Sequence, residues 1–361
     1  MTVGVQAREL VGTGGTHTYL RNVLPPLTEY CGDELMLFHA ADRSSVMASN
    51  GTTHVDSKTN RPILSDHVIL PYLLRRHDVD VTWFPKNVIP FAHDGPSVVT
   101  VHDLGHFVHP KFYPPIDRVY MKGMLRYSCR VADRIVAISE HTKRDVVRYT
   151  AASEDDVEVI YHGVDDRFRI EPTRGECARF REEYDLEPTT VYGGNIGRRK
   201  NICRLVDAFG HATATSGKDT ELVFTGARPN RKQMRKIAEH DSVRYLGYVP
   251  LEDLPLLYRV SSAFVYPSLY EGFGLPPLEA MACETPVVAA ETASIPEVVG
   301  EGGVLVDPHD VEGIATALDR VLTEDGTRRR LIRTGRRRAA AFSWENAAQK
   351  LADVFDDVAQ V

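Results

Sequence analysis

The feature that most constrains the fold is the alternation of short, continuous apolar runs with helical patterns along the whole sequence. Runs such as VVTVHD, RIVAIS and SAFVYPS are apolar at successive positions. Such strands are buried on both faces, as in parallel sheets covered by helices. The sequence therefore predicts an α/β protein with doubly wound parallel sheets. The twelve predicted strands are Val3–Ala7, Glu34–Ala40, Val79–Pro85, Ser97–Asp103, Arg134–Ser139, Val157–Gly163, Thr190–Asn195, Glu221–Gly226, Val243–Val249, Ala263–Ser268, Pro286–Ala290 and Gly303–Asp307.

A polar, charged segment separates the two halves of this pattern. It follows the strand VEVIYHG, and Pro172 and Pro188 bracket one helical stretch before the buried strand TVYGGN. A length of 361 residues also favours two domains over one. At the end of the chain, Ser343 is suited to cap a helix with an apolar stripe. We expect two Rossmann-like domains and a C-terminal helix, at residues 1–171, 172–341 and 342–361.

Charge and cysteine usage exclude several classes of protein. The net charge of −7 disfavours a nucleic-acid-binding protein, which would normally be basic. Five scattered cysteines without a CxxC pair fit a reducing compartment and argue against a disulfide framework or a zinc site. The N-terminus has no signal-peptide pattern, and no apolar run approaches the roughly 20 residues that span a bilayer. These features predict a cytoplasmic protein.

The segment EGFGLPPLE carries the strongest chemical signal. Glu271 precedes the turn Gly272–Leu275, and two prolines open a helix that contains Glu279. Amides at a helix N-terminus form an anion site, typically for phosphate, and flanking carboxylates accept hydrogen bonds from sugar hydroxyls. The alternative is an ordinary strand–turn–helix with two surface glutamates.

A basic cluster follows the first strand of the second half. In TVYGGNIGRRKN, we expect a glycine turn at Gly194 and Asn195, followed by Arg198, Arg199 and Lys200 ahead of a helix. Cations at a helix N-terminus oppose the helix dipole, so a stabilising local role is disfavoured. They are favourable where a dianion shares the site. The alternative is a solvated basic loop.

The first half offers weaker candidates. His102 and Asp103 lie at the carboxyl end of a predicted central strand, where open α/β sheets bind ligands. Near the N-terminus, Gly12, Gly14 and Gly15 precede a helix and form a second loop that could approach a ligand. Their spacing misses the dinucleotide fingerprint, which disfavours a nicotinamide-dependent dehydrogenase.

Metal binding is disfavoured by the spacing of the histidines and aspartates. His102, His106 and His109 lie in a proline-flanked loop without an HExxH frame. Asp78 and Asp80 begin a predicted strand, so turn and capping roles are favoured over chelation of a metal nucleotide. The sequence therefore predicts a site without metal.

Glu271 and Glu279 resemble the E-x7-E motif of the retaining glycosyltransferases of family 4. The resemblance covers nearly the whole chain, because further segments occur in the order of that family. They are VHDL, ADRIVAISEHTKRDV, VIYHGVD, VRYLGYVPLEDLPLLY, CETPVVA, SIPEVVG and FSWENAA. The resemblance implies the GT-B fold, in which two Rossmann-like domains face a cleft and the C-terminal helix crosses back to the first domain.

The resemblance also implies roles for the residues of EGFGLPPLE. Glu279 would bind the ribose hydroxyls of a nucleotide, and Glu271 would hold hydroxyls of the donor sugar. The turn at Gly272, with the backbone amides of Phe273, Gly274 and Leu275, would meet sugar and phosphate. Glu284, which replaces a usual glycine, weakens the expectation of nucleobase contacts nearby.

The remaining implied contacts involve charge. Lys200, with Arg199, would stabilise the leaving diphosphate, and His102 would lie beside the donor sugar. Gly14 and Gly15 would lie near the phosphates and the acceptor. Many members carry an arginine directly after the glycine turn. This chain has Asn195 there, so Arg198 or Arg199 would supply that charge.

The implied activity is transfer of a hexose with retention, without metal and without a cofactor beyond the nucleotide sugar. GDP-mannose is the favoured donor and a UDP-sugar such as UDP-glucose the alternative, with a glycan or lipid-linked acceptor. A sugar-nucleotide epimerase and a phosphorylase share the fold and remain alternatives. A non-catalytic nucleotide-sugar-binding protein is the alternative from a different class.

A basic stripe suggests weak, reversible contact with the inner face of a membrane. Between Lys111 and Arg148 there are nine basic and four acidic residues, in a chain with a net charge of −7. Four of the cations follow one another at i+4 spacing, and the apolar side of the same helix is expected at Tyr120, Met124, Tyr127 and Val131. The alternative is a solvated outer face of a helix that packs on the sheet. The four cations are Arg118, Lys122, Arg126 and Arg130.

Overall fold

Two fully parallel sheets form the framework of the protein. The structure is a computed structural model that describes residues 1–10, 14–31, 35–39, 52–57, 64–216 and 220–360. It divides into a first unit, Met1–Gly163 with Ser343–Val361, and a second unit, Val164–Phe342. The division falls ahead of Pro172, the boundary expected from composition. Residues before that proline belong to the second unit because Phe168 is buried there against Tyr258, with ring centroids 5.9 Å apart.

The first unit contains a seven-stranded sheet in the order β3-β2-β1-β4-β5-β6-β7, and every neighbouring pair is parallel. Its order reverses between β1 and β4, which defines a topological switch point. The strands are β1 Val3–Gln6, β2 Leu35–His39, β3 Thr52–Asp56, β4 Val81–Phe84, β5 Ser97–Val101, β6 Arg134–Ala137 and β7 Val157–Val159.

The second unit contains a six-stranded parallel sheet in the order β10-β9-β8-β11-β12-β13. When β8 to β13 are numbered 1 to 6 in chain order, this order is 3-2-1-4-5-6, the arrangement of dinucleotide-binding sheets. The switch point lies between β8 and β11. The strands are β8 Thr189–Ile196, β9 Thr220–Gly226, β10 Val243–Tyr245, β11 Ala263–Tyr266, β12 Val287–Ala290 and β13 Gly303–Val306.

Helices connect the strands on both faces of each sheet. A π-helical turn, Ser65–Ile69, is continuous with the α-helix Leu70–Arg76. Short 3-10 turns occur at Arg8–Leu10, Pro110–Phe112, Glu154–Asp156, Asp166–Phe168 and Gly300–Gly302. The α-helices are α1 Gly15–Cys31, α2 Leu70–Arg76, α3 Gly105–Val108, α4 Pro115–Val131, α5 Glu140–Thr150, α6 Arg174–Glu183, α7 Ile202–Ser216, α8 Arg231–Ile237, α9 Leu254–Val260, α10 Leu275–Ala282, α11 Ile295–Val299, α12 Val311–Thr323, α13 Asp325–Ala339 and α14 Trp344–Ala359.

All twelve predicted strands are present, most of them shorter than predicted at their carboxyl ends. The terminal residues of the predicted strand Glu34–Ala40 lie outside the described ranges. The sequence analysis missed β3, whose residues TTHVD lie at the sheet edge and include a single buried side chain, Val55. An edge strand has little need for a continuous apolar run, so the pattern used for prediction is absent there.

The C-terminal helix α14 belongs to the first unit. Ser343 caps it, because its Oγ accepts a hydrogen bond from the amide of Asn346 at 3.1 Å. Its apolar stripe packs in the first unit, where Trp344 lies 5.8 Å from Tyr19 and Phe355 lies 5.9 Å from Trp83. The 16-residue helix therefore gains its stability from one continuous buried face.

Candidate active site

A lysine and a glutamate meet at the switch point of the second sheet. Lys200 follows β8, and Glu271 follows β11, the neighbouring strand. The Nζ of Lys200 lies 2.6 Å from Oε1 of Glu271, and the two side chains are only 15% and 11% exposed. The parallel sheet brings the carboxyl ends of β8 and β11 together and thereby places the basic loop beside the E-x7-E segment.

Three donors converge on one oxygen of Glu271. Besides Lys200, the hydroxyls of Tyr266 and Ser268 donate to Oε1 at 3.0 and 2.5 Å. The Lys200 ammonium also donates to the Tyr266 hydroxyl and lies 4.6 Å from that ring. The hydrogen bonds within the described residues use Oε1, and none of them uses Oε2.

The charge of Glu271 is stabilised by these neighbours. Burial raises the pKa of its carboxyl, but the positive charges of Lys200 and Arg199 outweigh burial and hold the pKa below its ordinary value. The hydrogen bond from Ser268 acts in the same direction. Glu271 is therefore an ionised, pre-oriented hydrogen-bond acceptor at neutral pH.

The loop that carries Glu271 is anchored at both ends. The hydroxyl of the buried Ser294 donates to the carbonyls of Glu271 and Phe273, at 2.9 and 2.6 Å. The amide of Leu269 donates to the carbonyl of Arg199 at 2.8 Å, which ties the loop to the basic cluster. Gly274 then turns the chain into α10 at φ +119°, a left-handed conformation that favours glycine.

Glu279 lies in α10 in a different environment. Its Oε2 accepts a hydrogen bond from the hydroxyl of the buried Tyr258 at 3.0 Å. Burial raises the pKa of Glu279 to about 7, and the hydrogen bond from Tyr258 offsets only part of that increase. Glu279 is thus divided between its acid and its carboxylate form near neutral pH.

Two prolines limit the backbone donors within the first turn of α10. Pro276 and Pro277 have no N–H, and the amide of Leu278 donates to the carbonyl of Gly274 at 3.4 Å. Of the first three residues of the helix, only Leu275 carries an N–H. Within the first turn of the helix, an anion would therefore depend on the amide of Leu275, while the amides of Phe273 and Gly274 in the preceding loop remain the other predicted donors.

The predicted glycine turn is an irregularity within β8. The strand continues to Ile196, and its pairing with β9 shifts register between Tyr192 and Asn195, as in a β-bulge. Gly194 has a φ of +76° there, which explains the glycine. Two residues of this region are exposed, Asn195 and Arg198.

Arg199 is less exposed than Arg198 and acts on the charge of Glu271. It is half-buried, and its guanidinium lies 6.0 Å from the ring of Tyr270. It also lowers the pKa of Glu271. Arg198 and Arg199 are the two candidates to supply the charge that Asn195 lacks. Of these two, Arg199 is the one whose charge acts on Glu271.

His102 lies at the carboxyl end of β5, as predicted. Its Nε2 is 2.7 Å from the carbonyl of Pro85, so Nε2 carries the proton, since a carbonyl can only accept. Burial lowers the pKa of His102, which is therefore neutral at pH 7. Tyr19 of α1 contacts its ring edge-on, with centroids 5.1 Å apart, and stacks on His162 at 4.8 Å.

The N-terminal glycine loop is only partly described. Gly12 lies outside the described residues, whereas Gly14 and Gly15 are exposed at the start of α1. Gly14 has a φ of +120°, and a Cβ at either position would meet none of the described residues within 4 Å. No described residue therefore crowds the backbone at Gly14 or Gly15.

The histidines and aspartates weighed as metal ligands have other roles. His106 stacks on Tyr113 at 3.8 Å, and His109 stacks on Phe112. Asp80 accepts a hydrogen bond from the amide of Thr2 at 2.6 Å, and Asp78 occupies a left-handed turn position. Within the described ranges, no three His, Cys, Asp or Glu side chains are grouped so that they could hold a metal ion.

Sequence reasoning missed four residues of the site, Tyr258, Tyr266, Ser268 and Ser294. Tyr266 ends β11 and Ser268 lies three residues before Glu271, so their positions at a strand end were a usable signal. Tyr258 and Ser294 are distant in sequence from the glutamate or loop that they contact. Only tertiary structure identifies them.

The apolar side predicted for α4 is right at Met124 and wrong at Tyr120 and Val131. The buried residues of this helix are Met124, Leu125, Ser128 and Cys129, whereas Tyr120 and Val131 are exposed. The face is rotated because Leu125 and Cys129 pack in the sheet core. Two of the stripe cations, Lys122 and Arg126, each lie 5.1 Å from the ring of Phe107. Across the described helices, none is both long and apolar enough to cross a membrane.

The chain is similar over nearly its whole length to known glycosyltransferases. Residues 13–168 match the model of glycosyltransferase family 4, and residues 177–338 match that of the glycosyl transferases group 1. An O-antigen chain mannosyltransferase B from Escherichia coli is 31% identical in an alignment 351 positions long, which covers 90% of this chain and 90% of that protein.

Solved structures share the fold. A sucrose-phosphate synthase from Thermosynechococcus elongatus superposes with a TM-score of 0.79 at 20% identity, covering 99% of this chain and 98% of that one. HepE from Anabaena, solved in complex with UDP-glucose, superposes with a TM-score of 0.77 at 17% identity, covering 99% of each chain. The predicted GT-B fold is confirmed.

Proposed function

This chain belongs to glycosyltransferase family 4, and from that membership we propose that it transfers a mannosyl residue, with retention of configuration, from GDP-mannose to a glycan or lipid-linked acceptor. Membership makes it a hexosyltransferase. The donor, the stereochemistry and the acceptor are the proposed part. Mannose is favoured because the 31% identical relative is a mannosyltransferase of an O-antigen chain.

The observation that carries the proposal is the buried Lys200–Glu271 pair at the switch point of the second sheet. Ligands of open α/β sheets bind in the crevice at that point. A cation held at 2.6 Å from a carboxylate combines the two groups that a nucleotide sugar requires. One neutralises phosphate, and the other accepts hydrogen bonds from sugar hydroxyls.

We propose that Lys200 and Arg199 stabilise the departing nucleoside diphosphate. As the bond between the anomeric carbon and the phosphate oxygen breaks, negative charge grows on the diphosphate. A preorganised ammonium in a site that excludes water lowers the energy of that charge without reorganisation. The amide of Leu275 adds a further donor. In this proposal the cations replace a divalent ion, so the reaction is independent of metal.

The two glutamates then have separate roles. Oε2 of Glu271 accepts a hydroxyl of the donor sugar, while its Oε1 remains bonded to Lys200, Tyr266 and Ser268. Glu279 accepts the ribose hydroxyls while Tyr258 fixes its orientation. Glu271 is not proposed as a nucleophile, because its charge is already stabilised by an ion pair and two hydroxyls.

For the first unit we propose that His102 contacts substrate, together with Gly14 and Gly15. His102 carries its proton on Nε2, toward Pro85, and therefore presents an unprotonated Nδ1 as a neutral acceptor. The open space at Gly14 and Gly15 permits close approach to the backbone. We also propose a cytoplasmic location, which is consistent with five free cysteines.

Nucleotide release from a panel of GDP- and UDP-sugars tests this function. We expect slow release of GDP from GDP-mannose without acceptor, and faster release when a mannose-containing glycan is added. Preferential use of UDP-glucose would reassign the donor. Conversion of the sugar nucleotide without release of nucleotide would indicate an epimerase. Binding of the nucleotide sugar with no release under any condition would indicate a binding protein.

A further inference from the structure

Helix α13, in the second unit, carries an arginine face. The helix contains seven arginines, and two of them turn inward to bond backbone carbonyls: Arg328 to Ser262 at 2.6 Å and Arg338 to Val298 at 3.0 Å. The other five are exposed. We call them the arginine face; they are Arg329, Arg330, Arg333, Arg336 and Arg337.

The spacing of these five residues places them on one side of the helix. At 100° per residue they lie within an arc of about 120°, opposite the buried Leu331, Gly335 and Ala339. They extend over about 12 Å of helix. The helix sequence has no acidic residue after Asp325. The result is a short, dense and convex array of guanidinium groups on one side of the helix.

Few of these charges are neutralised within the protein. In the part of the chain that the structure describes, the ion pairs of the face are Arg329 with Asp325 at 3.9 Å and Arg336 with Glu284 at 3.1 Å. Glu284 is also shared with Arg259. Like charges three and four positions apart destabilise a helix, so the arrangement is unfavourable unless an anionic partner faces it.

We propose that the arginine face docks the protein, reversibly, on an anionic phospholipid surface. Guanidinium groups bind phosphate through two parallel hydrogen bonds, and a dense cluster of exposed cations is attracted to the phosphates of an anionic bilayer surface. The exposed arc holds no aromatic residue that could stack a nucleobase, and the net charge is −7. It also has no large apolar side chain, so contact is through charge, without insertion.

This assignment differs from the contact expected on α4. There, Lys122 and Arg126 lie over the ring of Phe107, and Nε of Arg126 donates to the carbonyl of Tyr149 at 3.1 Å. Cations already held against the protein are less free to meet a lipid phosphate. The inference does not depend on the donor or acceptor proposed above.

Co-sedimentation of the full chain with vesicles tests the proposal. We expect binding at low salt to an equimolar mixture of phosphatidylglycerol and phosphatidylcholine, and none to phosphatidylcholine alone. The variant Arg330→Glu/Arg333→Glu/Arg337→Glu should bind at least a hundredfold more weakly, because each cation near an anionic surface strengthens binding about fivefold. The matched control Arg118→Glu/Arg126→Glu/Arg130→Glu changes the net charge equally and should retain binding.

Several results would overturn the proposal. They are absence of wild-type binding, equal binding to both vesicle types, an unaffected face variant, or loss of binding in the α4 control. The wild type should also be tested on duplex DNA at physiological salt. Binding to DNA as tight as binding to the anionic vesicles would indicate a general polyanion site and would also overturn the proposal. Thermal unfolding and nucleotide release of the face variant, expected to match the wild type, exclude misfolding as the cause of lost binding.

Discussion

Glu271 and Glu279 belong to one nine-residue segment, yet their surroundings shift the pKa values of the two carboxyls in opposite directions. Glu271 lies in the loop after β11, where a lysine 2.6 Å away helps to hold its pKa below the ordinary value. Glu279 lies in α10, where burial raises its pKa to about 7. The motif therefore contains one carboxylate that is ionised at neutral pH and one that titrates near neutral pH.

The difference lies in what each carboxylate touches. Glu271 receives an ammonium and two hydroxyls on one oxygen, which outweighs the cost of burial. Glu279 receives one neutral hydroxyl, from Tyr258, which offsets burial only in part. Burial alone raises the pKa of any carboxyl, so a nearby cation decides the direction. A shared motif thus does not imply a shared protonation state.

Removing the cation should have the largest effect. We expect Lys200→Ala to lower the turnover of the sugar nucleotide at least a hundredfold, comparable to removing one oxyanion donor at about 3 kcal/mol. It should also lower the free energy of unfolding, because Glu271 would remain buried without its ion pair. Steady-state nucleotide release and chemical denaturation measure these two effects. The exposed Lys232→Ala in α8 is the matched control. Full inhibition by a chelator, reversed by magnesium or manganese, would contradict the role given to Lys200.

The two glutamates should separate binding from turnover. We expect Glu279→Gln to weaken binding of free GDP tenfold or more, and Glu271→Gln chiefly to lower turnover, since a charge-assisted hydrogen bond contributes about 1.5–3 kcal/mol. Calorimetry with GDP and nucleotide release from GDP-mannose measure the two effects. Glu284→Gln is the control, because that carboxylate bonds Arg259 and Arg336. Unchanged affinity for GDP in Glu279→Gln would remove its assignment to ribose.

The pH dependence should follow Glu279 and not Glu271. Only the carboxylate form accepts hydrogen bonds from both ribose hydroxyls, so affinity for GDP-mannose should rise about tenfold from one unit below to one unit above its pKa. Calorimetry across that range checks this rise, and Glu279→Gln should abolish it. A rise that persists in the variant would assign the titration elsewhere.

The two pKa shifts make the stability of the fold depend on pH in opposite directions. The pKa of Glu279 in the folded protein, about 7, exceeds the ordinary value of 4.5. Its contribution to the free energy of unfolding therefore falls as pH rises from 4.5 to about 7. The pKa of Glu271 is lowered, so its contribution is lost as pH falls through the folded pKa.

The smallest effect is expected just beyond α10. Glu284 has a φ of +59°, a left-handed conformation that favours glycine. Substitution by glycine should relieve about 1 kcal/mol of strain and lose two partly exposed ion pairs worth about 0.2–1 kcal/mol each. We expect Glu284→Gly to change the free energy of unfolding by less than about 1 kcal/mol and to leave GDP binding unchanged. A tenfold loss of GDP affinity would place Glu284 at the nucleotide.

Much of the framework could be predicted from local sequence. Continuous apolar runs located twelve strands because a strand of a covered parallel sheet must be apolar on both faces. The approach fails where burial is incomplete, as at the edge strand β3, and where packing selects between two neighbouring stripes, as on α4. Both errors concern faces whose burial depends on distant segments.

The sequence by itself determined the class of fold, the two halves and the positions of Lys200, Glu271 and Glu279, because these follow from periodicity and spacing. Tertiary structure alone decided that Lys200 pairs with Glu271 and that Tyr258 donates to Glu279. It also decided that Arg328 and Arg338 turn inward while five arginines of α13 face outward. The physical reason is that a carboxylate's charge depends on groups within a few ångströms, whatever their separation in the chain. Lys200 and Glu271 are 71 positions apart, and only the order of the parallel strands makes them neighbours.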